Sequence, residues 1–124
     1  MIPYFKAYLI KHEKIVDVRE INYNLLEIGW RDDDFHDTVS SFDDIKFIQP
    51  TGLLDKNGTE IFEGHIVKDT DGYVGYIAFL KQEMGYVVVY KTYDKRLGHR
   101  YRLEDGRLEI LGNIYQDKHL LGED

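Results

Sequence analysis

The sequence predicts a mainly β protein in which an N-terminal β-hairpin and sheet region packs with a small C-terminal SH3-like barrel, followed by a short helical turn. Aromatic residues make up 14% of the chain, and 11 glycines stand against only 2 prolines. This balance is typical of twisted β structure with many turns. Short apolar or alternating segments also follow one another through the second half, which indicates consecutive strands joined by hairpins.

The N-terminal part predicts four strands around one polar interval. Bulky and β-branched residues at near-alternating positions favour strands. The predicted strands are Tyr4–Ile10, Lys14–Ile21, Leu25–Trp30 and Ile45–Gln49. Residues 31–44 (RDDDFHDTVSSFDD) carry six aspartates between the last two strands, which predicts a solvated loop or a capped helical turn.

The C-terminal part has five segments with strand character, HIVKD, YVGYIAFL, YVVVYKT, HRYRL and LEILG. Asp71-Gly72 and Asp105-Gly106 favour the tight turns of hairpins. Five short strands over about fifty residues is the strand count of a small SH3-like barrel. No compositional seam divides the chain, and we predict an N-terminal β region over residues 1–50 and a barrel region over residues 51–124.

The stretch TGLLDKNGTEIFEGHIV, residues 51–67, joins these two regions. Asn57 and Gly58 can take the left-handed conformations of a β-turn, and Gly64 marks a bend or a close approach of the backbone. Phe62 is an apolar anchor beside it. We favour a hairpin leading into the barrel over a ligand-binding loop.

This stretch closely resembles the signature of the YopX family, small proteins of phages and prophages, whose pattern runs approximately TGLKDKNGKEIYEGDIV. The segment LEILGNIYQDKHLL, residues 108–121, resembles the family's second signature, approximately EVIGNIYENPELL. The resemblance implies a largely β protein encoded by a phage or prophage, and it carries over no catalytic residue. The signature positions that we take as structural are Gly52, Asp55, Asn57, Gly58, Phe62, Gly64, Gly112 and Asn113. His65 stands where the family usually has aspartate, which fits a structural or binding role better than a catalytic one.

Composition and motifs argue against an enzyme. The chain has no cysteine, so thiolate nucleophiles, thiolate metal sites and disulfides are excluded. Its histidines lack the HExxH spacing, and neither a G-x-S-x-G elbow nor a phosphate-binding P-loop is present. The acidic segment Asp32 to Asp44 lacks the ligand spacing of a calcium loop, so we favour a solvated loop over a cation site. We expect no cofactor and no metal.

The net charge of −7 argues against a protein that coats nucleic acid, because that mode needs excess Lys and Arg. One basic and aromatic segment, KTYDKRLGHRYR, runs from Lys91 to Arg102. Its cations could contact phosphates while its aromatic rings stack on bases, although an exposed hairpin is the favoured interpretation. The candidate contact residues are Lys91, Tyr93, Lys95, Arg96, Arg100 and Arg102.

Self-association is a further expectation. GYVVVY, residues 85–90, is an uncharged β-forming run that invites edge pairing unless both of its faces are buried. A second copy of the chain could complete that burial. With no membrane-length apolar run, we expect a cytoplasmic protein of a bacterial host cell. The leading hypothesis is a non-enzymatic protein-interaction or self-assembling module, and the alternative is a nucleic-acid-binding barrel.

Overall fold

The computed structural model describes residues 5–90, 94–96 and 106–122 of the 124-residue chain. The described chain is mainly β, as predicted, and its helices are three single 3-10 turns. None of these helices has the length and apolarity of a membrane span. The chain divides into two compact units, Met1–Gln49 and Pro50–Asp124, which are named unit 1 and unit 2 below.

Unit 1 contains two three-stranded antiparallel sheets, ordered β2-β1-β6 and β3-β4-β5. Its strands are β1 Lys6–Leu9, β2 Lys14–Asp17, β3 Glu20–Asn22, β4 Glu27–Arg31, β5 Asp37–Ser41 and β6 Ile45–Ile48. The chain passes from one sheet to the other between β2 and β3, where Val18 N–H bonds to Phe5 O and Arg19 N–H bonds to Gly29 O. The two sheets share one core, formed by Ala7, Leu9, Val16, Ile28, Trp30 and Ile45.

The predicted loop over residues 31–44 is wrong in part, because β5 lies within it. Apolar and polar positions are inverted on this edge strand. Val39 is 62% exposed, whereas the hydroxyl of Ser40 accepts a hydrogen bond of 3.0 Å from Trp30 Nε1. A polar strand of this kind has no apolar alternation to reveal it. The capped helical turn is present as the 3-10 turn Phe42–Asp44, in which Ser41 Oγ accepts the Asp43 N–H.

Unit 2 contains a five-stranded antiparallel sheet, ordered β12-β11-β10-β9-β13, and a separate hairpin of β7 and β8. Its strands are β7 Pro50–Leu54, β8 Glu60–Phe62, β9 His65–Lys68, β10 Val74–Leu80, β11 Gly85–Tyr90, β12 Asp94–Arg96 and β13 Glu109–Asn113. The sheets formed by the described residues do not close on themselves, so the SH3-like barrel stays a prediction. The predicted strand HRYRL lies outside the described residues.

The apolar run Gly85–Tyr90 forms an interior strand, with β10 on one side and β12 on the other. Its side chains are buried on both faces, since the neighbours Val87 and Val88 are 0% and 2% exposed. Because both edges of this strand are paired within the chain, the run does not offer a free edge. The core of unit 2 consists of Ile61, Val67, Ile77, Val88, Tyr90 and Leu108.

Three five-residue hairpin turns share one aspartate-centred geometry, and we call them aspartate turns. They begin at Asp32 between β4 and β5, at Asp55 between β7 and β8, and at Asp69 between β9 and β10. In each turn, Oδ1 of the aspartate accepts the N–H groups two and four residues later, at 2.9 to 3.0 Å. The residue at the fourth position has positive φ in each: Phe35 (64°), Gly58 (82°) and Gly72 (89°).

Candidate functional site

The aspartate of the first signature, residues 51–67, has a structural role. Asp55 is 4% exposed, and its Oδ1 accepts the N–H groups of Asn57 and Thr59, both at 2.9 Å. Its Oδ2 accepts the Ile110 N–H at 3.3 Å, which ties the turn to β13. Burial raises the pKa of Asp55, but the three N–H donors and His65 outweigh burial, so its pKa lies below the ordinary value of 3.8. Asp55 is therefore a buried carboxylate with its oxygens engaged by the backbone.

Gly64 and His65, at the turn between β8 and β9, serve backbone geometry as well. Gly64 has a φ of 87°, and a Cβ on it would lie 2.8 Å from Cε2 of Tyr115. His65 Nδ1 accepts the Phe62 N–H at 2.9 Å. Position 65 therefore needs an unprotonated acceptor atom, which a carboxylate oxygen could equally supply. This accounts for a histidine at a position where aspartate is the usual residue of the signature.

The C-terminal signature builds another compact turn. Asn113 Oδ1 accepts the N–H groups of Tyr115 and Gln116, and Asp117 Oδ2 accepts the Asn113 N–H. A Cβ on Gly112 would lie 2.6 Å from that same carboxylate oxygen, so a larger residue there would displace the carboxylate. Gly52 has a φ of 82° at the register shift of the β7–β8 hairpin. Each of these residues thus shapes the backbone.

The basic segment is mostly beyond what the structure describes. Lys91, Tyr93, Arg100 and Arg102 lie outside the described residues. The backbones of Lys95 and Arg96 belong to β12, where they pair with Val88 and Val87 of β11.

The acidic segment brings three potential ligand groups together. The ligand atoms of Asp32, Asp34 and His36 lie within 4.8 Å of one another. These residues are the first, third and fifth of an aspartate turn, and Asp32 Oδ1 already accepts the N–H groups of the other two. Those donors lower the pKa of Asp32, the His36 N–H most of all. The closure of the turn is therefore sufficient to account for the cluster.

Two shallow clefts among those on the described surface of unit 1 contain an ion pair. One of about 230 Å³ contains the ion pair Lys11–Asp44, with Nζ and Oδ1 3.6 Å apart. The other, of about 340 Å³, contains Arg31–Asp37, with Nε and Oδ1 3.2 Å apart. In each cleft these opposite charges partly cancel, so neither cleft has a strong preference for a ligand of one sign.

A different group of side chains stands out in unit 2. Glu63 lies in the turn between β8 and β9, and its half-buried carboxylate has no hydrogen-bond or ion-pair partner in the described part of the chain. Burial raises its pKa above the ordinary value of 4.5. Burial and the nearby charge of Glu63 also raise the pKa values of Tyr86 and Tyr115. Phe79 packs on Tyr86 with ring centroids 5.4 Å apart.

We call Glu63, Phe79, Tyr86 and Tyr115 the Glu63 cluster. The sequence does not mark these four residues as a group, because they are separated by up to about fifty residues along the chain. Glu63 does stand inside the first signature, residues 51–67, directly before Gly64. That position is the signal in the sequence that could have identified it. A partly buried ionisable group that lies beside aromatic rings and has no partner within the described ranges is a candidate functional group.

Comparison with known proteins identifies a family and a similar fold. The chain matches the protein family described as YopX protein over residues 4–122. Its fold is similar to that in the crystal structure of protein EF1440 from Enterococcus faecalis, with a TM-score of 0.64 and 21% identity, over 98% of this chain and 99% of that chain. A search of curated proteins found no match. At this identity, the solved structure informs on the fold alone.

Proposed function

The chain belongs to the YopX family, and we propose that it is a non-enzymatic module that binds another protein through the Glu63 cluster. The observation that carries the proposal is the half-buried Glu63 carboxylate, which has no partner among the residues that the structure describes. Holding such a charge away from water costs free energy unless an opposite charge or a hydrogen-bond donor meets it. A partner protein that brings such a group would remove this cost on binding.

The charge of the whole chain favours a basic partner. At −7 the protein attracts positively charged surfaces and repels polyanions at long range. Phe79 adds an exposed aromatic ring to the same place, at 46% exposure, and aromatic residues are enriched in protein interfaces. A protein partner is therefore a better fit to the Glu63 cluster than a nucleic acid.

The proposal of a binding rather than a catalytic role rests on what the signature residues do. The buried carboxylate Asp55 is held by backbone N–H groups, and the acceptor atom of His65 is occupied by the Phe62 N–H. Groups that are engaged in this way are not free to act as a general base.

The setting is part of the proposal. The resemblance of the two signatures favours a protein encoded by a phage or prophage that acts in the bacterial cytoplasm. Closure of the five-stranded region into an SH3-like barrel and self-association of the chain are also retained as proposals. Sedimentation or mass measurement in solution would determine the number of copies.

The test is affinity capture from bacterial lysate with three tagged proteins, each with and without nuclease. They are the wild type, Glu63→Gln and the control Glu20→Gln, which removes the same charge from an exposed position in unit 1. We expect a basic protein that the wild type and the control retain and that Glu63→Gln loses. Equal retention by all three proteins would contradict the proposed site. Loss of every partner after nuclease treatment would instead favour the nucleic-acid alternative through Lys91 to Arg102.

A further inference from the structure

We infer that the Glu63 cluster is a cage for one cationic side chain, a lysine ammonium or an arginine guanidinium, in which aromatic rings flank a single carboxylate. This inference rests on the proposed function, because the cation would belong to the partner protein. It specifies the chemistry of the site, which the proposed function leaves open.

The backbone holds the turn that carries Glu63 and the first ring, that of Tyr115, side by side. Gly64 N–H bonds to Ile77 O at 2.8 Å, and the Ile114 N–H bonds to Gly64 O at 2.8 Å. The turn that carries Glu63 is thus fixed to β10 on one side and to the C-terminal turn on the other. Tyr115 comes from that C-terminal turn, and its hydroxyl lies 3.3 Å from where a Cβ of Gly64 would be. The absence of a side chain at Gly64 is what admits this ring.

The second and third rings come from the neighbouring strands. Phe79 follows Ile77 by two residues on β10, so both side chains lie on the same face of the sheet. Its partner across the ladder is Tyr86 of β11, and the two rings meet edge to face at an interplanar angle of 72°. Phe79 is 46% exposed in this edge-to-face pair, so its ring presents surface that a third group can contact.

The electrostatics of the cluster select a positive ligand. Tyr86 and Tyr115 have raised pKa values and stay neutral, so the only formal charge is the negative one of Glu63. The faces of neutral aromatic rings attract cations as well, and this attraction strengthens when water is excluded. A carboxylate and ring faces therefore act in the same direction, and both disfavour an anion.

A divalent metal ion is a poorer match to this site. Ca²⁺ and Mg²⁺ take about six or more oxygen ligands, which protein carboxylates share with carbonyl groups and water molecules. In the described residues, Glu63 belongs to no group of three or more metal-ligating side chains. One carboxylate suits one monovalent cation, and the apolar rings suit the methylene stem that lysine and arginine carry.

The experiment uses small probes at constant ionic strength with the full-length protein. The probes are the Nα-acetyl methylamides of lysine and arginine, with the norleucine compound as an uncharged control of similar stem length. NMR would follow the ring resonances of Tyr86 and Tyr115 during titration to about 100 mM, the range in which a single weak contact is detectable. The lysine and arginine arms distinguish the two cations.

We expect saturable shifts with a cationic probe, no matching shifts with norleucine, and at least about tenfold weaker binding in Glu63→Gln. Glu20→Gln should bind as the wild type does. If Glu63→Gln does not fold, Phe79→Leu tests the cage instead, since it keeps the charge and removes one exposed ring.

Several results would overturn the cage. These are the absence of a shift up to the highest concentration, equal shifts with norleucine, and undiminished binding in Glu63→Gln or, where that variant does not fold, in Phe79→Leu. The cage and the proposed function can fail separately. Probe binding without any Glu63-dependent partner would contradict the function alone, whereas a Glu63-dependent partner without probe binding would contradict the cage alone.

Discussion

The aspartate turns at Asp32 and Asp55 have the same backbone and opposite surroundings. In both, Oδ1 accepts two N–H groups at 2.9 Å, and the fourth residue is left-handed. Oδ2 of Asp32 faces the exposed His36, with 3.7 Å to its Nδ1, whereas Oδ2 of Asp55 accepts the N–H of Ile110, which is 55 residues away in sequence. The local pattern therefore determines the turn, and the second oxygen determines what the turn holds together.

The turn at Asp69 is intermediate between these two. Its Oδ2 accepts a hydrogen bond of 2.8 Å from the Tyr90 hydroxyl, so it contacts a side chain rather than the backbone of a distant strand. The three turns thus form a series that differs in the partner of Oδ2. At Asp32 the partner is a weakly interacting histidine, at Asp69 a tyrosine hydroxyl, and at Asp55 a backbone N–H. Substitutions along this series measure what tertiary contact adds to a fixed local structure.

The largest expected effect is that of Asp55→Ala. This change removes three hydrogen bonds and leaves buried N–H groups without an acceptor, so we expect a loss of about 2 to 4 kcal/mol in the free energy of unfolding. Urea denaturation would measure it. Asp32→Ala is the matched control, and it should cost much less, because water can replace the carboxylate at an exposed turn. Equal losses would show that the turn alone, without its contact to β13, accounts for the stability.

The same comparison predicts a dependence on pH. The pKa of Asp55 is lower in the folded protein than its ordinary value of 3.8. At pH values between the folded and the unfolded pKa, the folded state therefore binds fewer protons than the unfolded chain. Its stabilising contribution is complete above the unfolded pKa and is lost as the pH falls through the folded pKa. Unfolding free energies measured from about pH 5 down to about pH 2 should therefore fall more steeply for the wild type than for Asp55→Asn. Parallel curves for the two proteins would contradict a lowered pKa at Asp55.

The sequence was sufficient to predict much of the fold. Alternation and turn chemistry predicted the hairpin around Asn57 and Gly58 and the strands on either side of Asp71-Gly72, because those signals are local. The β5 strand escaped prediction because its inward positions are polar, with Ser40 hydrogen-bonded to Trp30. That bond depends on a partner ten residues away, and it produces no apolar periodicity in the sequence.

The candidate site was less predictable than the fold. Glu63, Tyr86 and Tyr115 come from three separate turns and strands, and their proximity follows from the pairing of β11, β10, β9 and β13 in that order. The spacing of these three residues along the chain does not indicate that pairing. The basic segment, which composition did single out, falls mostly outside the described residues, so its role stays a prediction.

A smaller effect is expected from the partner of the third turn. Tyr90→Phe removes the hydroxyl that donates to Asp69 Oδ2 and keeps the buried ring, so we expect a loss of about 1 kcal/mol. Thermal or urea unfolding would measure it, and Tyr73→Phe, at a ring that is 58% exposed, is the control without an expected change. An unchanged stability in Tyr90→Phe would mean that only a backbone partner on Oδ2 adds measurably to an aspartate turn.

The smallest effect concerns the fourth position, where the turns differ in residue type. Phe35 is left-handed with a φ of 64° and is 80% exposed, whereas the corresponding residues Gly58 and Gly72 take this conformation at little cost. Phe35→Gly should therefore stabilise unit 1 by about 0.5 to 1 kcal/mol, since strain is removed and almost no packing is lost. Gly58→Ala is the reverse experiment, because a Cβ there would meet no atom within 4 Å and only the backbone is tested. Opposite signs in the two unfolding measurements would show that the turns share one backbone requirement, and a destabilised Phe35→Gly would show that the exposed ring contributes a contact worth more than the strain it imposes.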